Sequence, residues 1–120
     1  LAVEEAKVHC ALRHKNIVTC IGICPRPFCI VMEYFPPDLL TALLETDVVP
    51  PGQAQLAALQ VAQGMVAVHS AGVVHRDLRA VNVLVGPPGD SRRCCISDFG
   101  LSLTKRKTAT TASRSTSRYT

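Results

Sequence analysis

The sequence predicts an α+β domain, and two observations carry that prediction. Apolar residues recur at helical spacing near the start of the chain and again through 53–70, while short β-branched or aromatic runs stand at 17–23 and 28–34 and short apolar pieces at 83–85 and 94–96. The 120 residues are 48% hydrophobic and 18% charged, which is enough apolar material for a core and unlike the composition of a disordered chain.

Over 1–12, Val3, Ala6 or Lys7, Cys10 and Ala11 fall at helical spacing, with Glu4 and Glu5 near the positive end of the helix dipole. The runs 17–23 and 28–34 are split by Pro25-Arg26-Pro27, which predicts two strands and a turn. Pro36-Pro37-Asp38 stops the second strand, and Asp38 is placed to cap a short apolar helix reaching Leu44. Pro50-Pro51-Gly52 opens a longer helix over 53–70, with Leu56, Leu59, Gln63, Val66 and Ala67 near one face and Gly72 at its end. Val73-Val74 and a polar loop follow, then strands at 83–85 and 94–96 around a Gly-Pro turn at 86–89. From Leu101 onward Ser, Thr, Lys and Arg dominate without periodicity, so a mobile loop is expected there. No internal repeat is present.

The net charge of +4 is local. Lys105, Arg106, Lys107, Arg114 and Arg118 stand in an acid-free tail, and the first hundred residues hold 8 bases against 9 acids. A basic Ser/Thr-rich tail on a neutral body suggests a modifiable segment and argues against nucleic acid as a partner. No membrane span and no secretory leader are visible. The first residue is not Met, so a piece of a longer chain is expected. Cys10, Cys20, Cys24, Cys29, Cys94 and Cys95 lie mostly in apolar runs without a Cys-x-x-Cys pair, so they are expected as reduced core thiols, with neither disulfides nor a zinc site. A soluble, reducing interior, with cytoplasmic localisation as the default, follows from that expectation.

The chemistry is concentrated in His75-Arg76-Asp77-Leu78-Arg79-Ala80-Val81-Asn82 and in Asp98-Phe99-Gly100, whose Asp lies 21 residues after Asp77. An Asp in a loop commonly caps a turn, and each piece alone is weak. Eight ordered positions, a second motif downstream and apolar strand residues between them make coincidence improbable. Transfer of a phosphoryl group needs a carboxylate near the acceptor hydroxyl and oxygen ligands for magnesium, and Asp77, Asn82 and Asp98 supply that minimum.

With these motifs the chain resembles the eukaryotic protein kinase family, in its tyrosine-kinase or tyrosine-kinase-like branch, over essentially its whole length. The resemblance implies a protein-kinase-like fold, here a partial domain spanning 1–120. Residues 1–35 would form part of the small lobe (the αC helix and two strands) and the hinge. Residues 36–100 would begin the helical large lobe with the catalytic loop, and 101–120 would belong to the activation segment.

The resemblance also implies residue roles, with ATP and Mg2+ as cofactors and a protein as substrate. Asp77 would be the catalytic carboxylate, Arg79 would contact the γ-phosphate, and Asn82 and Asp98 would ligate magnesium. Glu5, in Glu5-Ala6-Lys7-Val8, would pair with the ATP-contacting lysine. In Ile30-Val31-Met32-Glu33-Tyr34, Met32 would be the gatekeeper, while backbone groups of Glu33 and Phe35 would bind adenine over Leu84. His75 and Phe99 would form a packed column with His9 and Cys20, although a polar His9 departs from the usual aliphatic residue. Regulatory positions would be His75, Arg76, Phe99, Gly100 and Thr116, with phosphate added in 102–120 pairing with Arg76. Pro36-Pro37-Asp38 replaces the usual glycine-containing exit from the hinge.

The acceptor stays open between two dialects. Asp77-Leu78-Arg79-Ala80-x-Asn82 is similar to Src-type tyrosine kinases, whereas Thr116 in Ser115-Thr116-Ser117-Arg118-Tyr119-Thr120 matches a threonine of serine/threonine enzymes, and the proline of tyrosine kinases is missing. The balance favours serine/threonine. A glycine-rich phosphate loop, its lysine and an Ala-Pro-Glu motif do not occur in these residues, so the 120 residues alone are expected to fold poorly and be inactive. A pseudokinase scaffold and an inactive gene fragment remain the alternatives from other classes.

Overall fold

The computed structural model describes residues 2–35, 38, 41, 51–87 and 92–104. Helix α1 (Ala2–Ala11) leads into strand β1 (Cys20–Pro25), which pairs antiparallel with β2 (Phe28–Met32). Helix α2 (Pro51–Ser70) precedes β3 (Val73–Val74), and a 3-10 turn at Ala80–Asn82 leads into β4 (Val83–Val85). Strand β5 (Cys94–Ile96) pairs with β4, and β6 (Leu103–Thr104) pairs with β3, both antiparallel. Among the described residues the result is mixed α+β, with three two-stranded ladders.

Local chemistry sets the ends of these elements. Pro51 opens α2 because its fixed φ suits a first helical turn, whose N–H has no intrahelical partner to lose. Gly72, at φ 75, closes it in the left-handed conformation that a side chain disfavours. The Asp38 carboxylate accepts the Thr41 N–H at 2.7 Å, the cap expected there. The rest of that short helix lies outside the described residues.

The central joint is β5. Ile96 donates its N–H to the Asn16 carbonyl at 2.8 Å and accepts from Val18 N–H at 3.0 Å, so the segment after α1 is stitched alongside β5. Leu12, Ile17, Val68, Val73, Ile96 and Phe99 form the core around this joint, with Val61 and Met65 packed on it. A second cluster of Val83, Val85 and Cys94 meets α2 at Ala57 and Val61. Close approach of α2 requires Gly64, where a Cβ would stand 2.7 Å from the Asn16 carbonyl oxygen and 2.8 Å from Ile96 Cδ1. Asn16 itself is buried, and its amide donates to Gln60 Oε1 and to the Cys94 carbonyl.

Four sequence expectations need correction. Cys10 and Cys20, their Cα atoms 5.0 Å apart, form a disulfide that ties α1 to β1. Cys94 and Cys95 are buried free thiols as expected, but Cys29 is exposed. Leu59 and Val66 are 54% and 65% exposed, and the face α2 turns to the core runs through Ala57, Val61, Gly64, Met65 and Val68. An alanine-rich helix is apolar nearly all round, so its pattern leaves the buried face undetermined. On α1, Val3 and Ala11 are likewise exposed, whereas Ala6 is buried as expected and His9 is buried with it. Finally, 103–104 are not loop: they form β6 beside Val73 and Val74.

Burial also governs the thiols of β5. It pushes the Cys94 thiol up, opposed by Arg92. Cys95 is pushed up to about 11, mainly by burial, against the opposing charge of Arg93 and with help from Glu33 and Cys94.

Candidate functional site

The loop 75–82 and the segment 97–100 meet through side chains on both. His75 is buried, and its Nε2 lies 2.8 Å from the Ser97 carbonyl. The Asp77 N–H donates to His75 Nδ1 at 3.1 Å. A backbone N–H can only donate, so Nδ1 is the acceptor and Nε2 carries the proton given to Ser97. One imidazole therefore pins the start of the loop to the strand segment before Asp98.

Asn82 completes the junction from the other side. Its Nδ2 donates to the Asp77 carbonyl at 2.8 Å and to Asp77 Oδ2 at 3.0 Å. Its own carbonyl accepts from the Ser97 N–H at 2.8 Å and from Ser97 Oγ at 3.0 Å. Asp77 is thus fixed through Asn82 to the residue that precedes Asp98. Arg79 Nε stands 3.9 Å from Asp77 Oδ1, an ion pair open to solvent on the arginine side.

Asp98 adopts φ 61, which Asp tolerates better than most residues, and its Oδ1 accepts the Gly100 N–H at 3.2 Å. The residue is exposed while Phe99 beside it is buried. The Phe99 ring sits between His9, at 5.1 Å between centroids, and His75, at 4.9 Å. His9 is held in turn by Nε2 at 2.6 Å from the Val18 carbonyl. Cys20 is bonded to Cys10, the residue after His9. Arg76, at φ 71, donates from Nε to the Leu101 carbonyl at 2.7 Å.

The remaining sequence-derived site residues are placed as follows. Glu5 falls on α1, and its side chain lies outside what the structure describes. Met32 ends β2 opposite Cys20 and is exposed. The Glu33 N–H donates to the Thr19 carbonyl at 3.0 Å, while among the described residues no hydrogen bond engages the Glu33 carbonyl or the Phe35 backbone. Leu84, half-buried, pairs with Cys95 and bridges to Asp38. Gly100 is exposed beside Asp98, and Thr116 lies outside the described residues.

Three residues escaped the sequence reading. Ser97 anchors both His75 and Asn82, Asn16 joins β5 to α2, and Arg93 reaches Glu33, the Lys15 carbonyl and the Phe35 ring. Only the charge of Arg93 just before an apolar strand marked it, and its partners are up to 78 residues away in sequence.

The donor set fits magnesium better than a transition metal. The described residues hold no group of three or more His, Cys, Asp or Glu that could form a metal cage. Asn82 and Asp98 offer oxygen donors, which suits a cation that completes its octahedron with water and phosphate oxygens. The Asn82 amide is oriented by both of its Nδ2 bonds, leaving Oδ1 as the acceptor. No helix among the described residues is long and apolar enough to cross a membrane.

Residues 2–120 match the family model described as protein tyrosine and serine/threonine kinase. The chain is 39% identical over 103 residues to a probable serine/threonine-protein kinase of Dictyostelium discoideum, covering 82% of this chain and 7% of that protein. It is 37% identical over 103 residues to the mitogen-activated protein kinase kinase kinase dlk-1 of Caenorhabditis briggsae, covering 83% and 12%. It is 35% identical over 115 residues to mitogen-activated protein kinase kinase kinase 10 of Homo sapiens, covering 88% and 12%. The chain therefore spans between 7% and 12% of the length of these relatives. With the family model matched from Ala2 to the last residue, the chain belongs to the protein tyrosine and serine/threonine kinase family.

Proposed function

We propose that this chain carries the phosphoryl-transfer residues of a Mg-ATP-dependent protein kinase acting on Ser/Thr hydroxyls. The supporting observation is the Asn82 junction, which holds the Asp77 carboxylate by Nδ2 and the Ser97-Asp98 step by its carbonyl. Magnesium, when bound, neutralises charge on the transferring phosphates. Asn82 and Asp98 are the residues that hold it. Asp77 orients the acceptor hydroxyl and receives its proton, and Arg79, beside it, contacts the γ-phosphate. Glu33 and Phe35 bind adenine through backbone groups above Leu84, with Met32 behind them, and Glu5 pairs with the ATP-contacting lysine. Residues 1–35 are small-lobe and hinge, 36–100 large-lobe, and 101–120 the activation segment.

The relatives named as serine/threonine kinases favour that acceptor. Tyrosine is the second reading, favoured by Arg79 beside Asp77 where serine/threonine enzymes usually place Lys. A cytoplasmic setting belongs to the same proposal, although the Cys10–Cys20 bond removes the thiol count as support for it.

The test is transfer of labelled γ-phosphate from Mg-ATP to serine, threonine and tyrosine peptides by the native polypeptide that contains these residues. Label on Ser or Thr that Asp77→Asn reduces about 10²- to 10⁴-fold supports the proposal. Label on Tyr alone selects the second reading, and nucleotide binding without transfer identifies a pseudokinase. The purified 120 residues are expected to show no transfer, because they contain no glycine-rich loop to cover the phosphates.

A further inference from the structure

We propose that Arg93 is a positioning residue for the base of the nucleotide, holding the 33–35 segment in register with the strand that leads to Asp98. The inference rests on the kinase reading above. Arg93 stands immediately before β5, and its guanidinium engages two separate stretches of chain, Lys15 and the 33–35 segment. Nη1 donates to Glu33 Oε2 at 2.6 Å, and Nε donates to the Lys15 carbonyl at 2.7 Å. The guanidinium carbon lies 5.6 Å from the centroid of the Phe35 ring.

Both residues whose backbone is assigned to adenine are therefore held through their side chains by one arginine. Glu33 is fixed further by its N–H on the Thr19 carbonyl and by Oε1, which accepts the Thr19 N–H at 3.5 Å. Strand β5 continues through Ile96, bonded to Asn16 and Val18, to Ser97 and Asp98. Arg93 thus sets the distance between the groups that read the base and the carboxylate assigned to the metal on the phosphates.

The residue type matters. Nη1 and Nε act at once in fixed directions while the planar group lies near a ring, and a lysine ammonium offers only a point charge. The pair is also partly exposed, with 37% of the Arg93 side chain and 31% of that of Glu33 accessible. An ion pair that open adds little to global stability, so its loss registers in the position of 33–35 more than in folding.

The experiment measures steady-state kinetics of the native polypeptide with Mg-ATP as the varied substrate, for Arg93→Ala, Arg93→Lys, Glu33→Gln and the double variant Arg93→Ala/Glu33→Gln, with Arg92→Ala as control. Arg92 contacts the Gly86 carbonyl and not the 33–35 segment. The expected result is an ATP KM raised about 3- to 10-fold in Arg93→Ala and Arg93→Lys, with kcat and the peptide KM little changed. The double variant is expected to be no worse than Arg93→Ala, because the two residues act as one unit. Arg92→Ala is expected to leave the ATP KM unchanged. An unaltered ATP KM in both Arg93 variants, with normal wild-type turnover, overturns the inference and leaves the kinase reading standing. Absence of wild-type turnover overturns both. Where Arg93→Ala does not fold, Arg93→Lys decides.

Discussion

The side-chain amide of Asn82 donates to two oxygens of Asp77, the main-chain carbonyl at 2.8 Å and Oδ2 at 3.0 Å. Five residues apart in sequence, the two are bridged across the 3-10 turn that also sends Asn82 into β4. The bridge orients one oxygen of Asp77 and leaves Oδ1 facing the weaker, longer contact with Arg79. A carboxylate with one oxygen fixed and the other lightly held is suited to receive a proton from a positioned hydroxyl.

Replacing Asn82 by Ala removes that orientation together with the side chain proposed above to hold magnesium. The expected outcome in the native polypeptide is a fall in kcat of about 10²-fold or more, with a higher magnesium requirement. Titrating turnover against Mg2+ at saturating ATP measures both, and wild-type behaviour would remove Asn82 from the site.

Gly64→Ala places a methyl group where the Asn16 carbonyl oxygen is 2.7 Å away. Neither that carbonyl nor Ile96 Cδ1, at 2.8 Å, yields easily, because Asn16 is hydrogen-bonded to β5 and Ile96 is in the core. The variant is expected to lose about 1–3 kcal/mol in urea unfolding, well beyond the ordinary gain from Gly to Ala in a helix.

The Cys10–Cys20 bond predicts a tryptic pair joining α1 to β1 that separates on reduction. Mass spectrometry of unreduced protein, alkylated before digestion, detects it directly. Its loss in Cys10→Ser/Cys20→Ser is expected to cost about 2–3 kcal/mol, since it closes a short loop of the unfolded chain. Full alkylation of both thiols without reductant would contradict the fold around α1.

Cys95 holds its proton more tightly in the folded protein than in the unfolded chain, with a folded value of about 11 against an ordinary 9.0. Both states keep the proton below pH 9, so the group does not alter stability there. Stability is then expected to fall as pH rises from about 9 through 11, because only the folded form resists ionisation. At pH 8.5 a thiol reagent is expected to modify exposed Cys29 well before buried Cys94 and Cys95. Time-resolved labelling read by peptide mass checks the order, and equal rates would mean that β5 opens freely.

The sequence by itself determined the features whose causes are local. Pro51 and Gly72 mark the ends of α2 because each acts on its own backbone angle, and Asp38 reveals its cap by its place before Thr41. The spacing of His75, Asp77, Asn82 and Asp98 was readable in the same way, since a short loop and one β-ladder carry all four. Tertiary structure alone decided what depends on partners distant along the chain. The buried face of α2 followed from where Gly64 meets Asn16 and Ile96, a choice that an alanine-rich helix leaves degenerate. Cys10 became a disulfide partner because the chain between α1 and β1 folds back and sets the Cys20 Cα 5.0 Å from its own. Arg93 acquired its place between Lys15, Glu33 and Phe35 because three segments converge there, and a single charge before a strand cannot announce which chains will fold onto it.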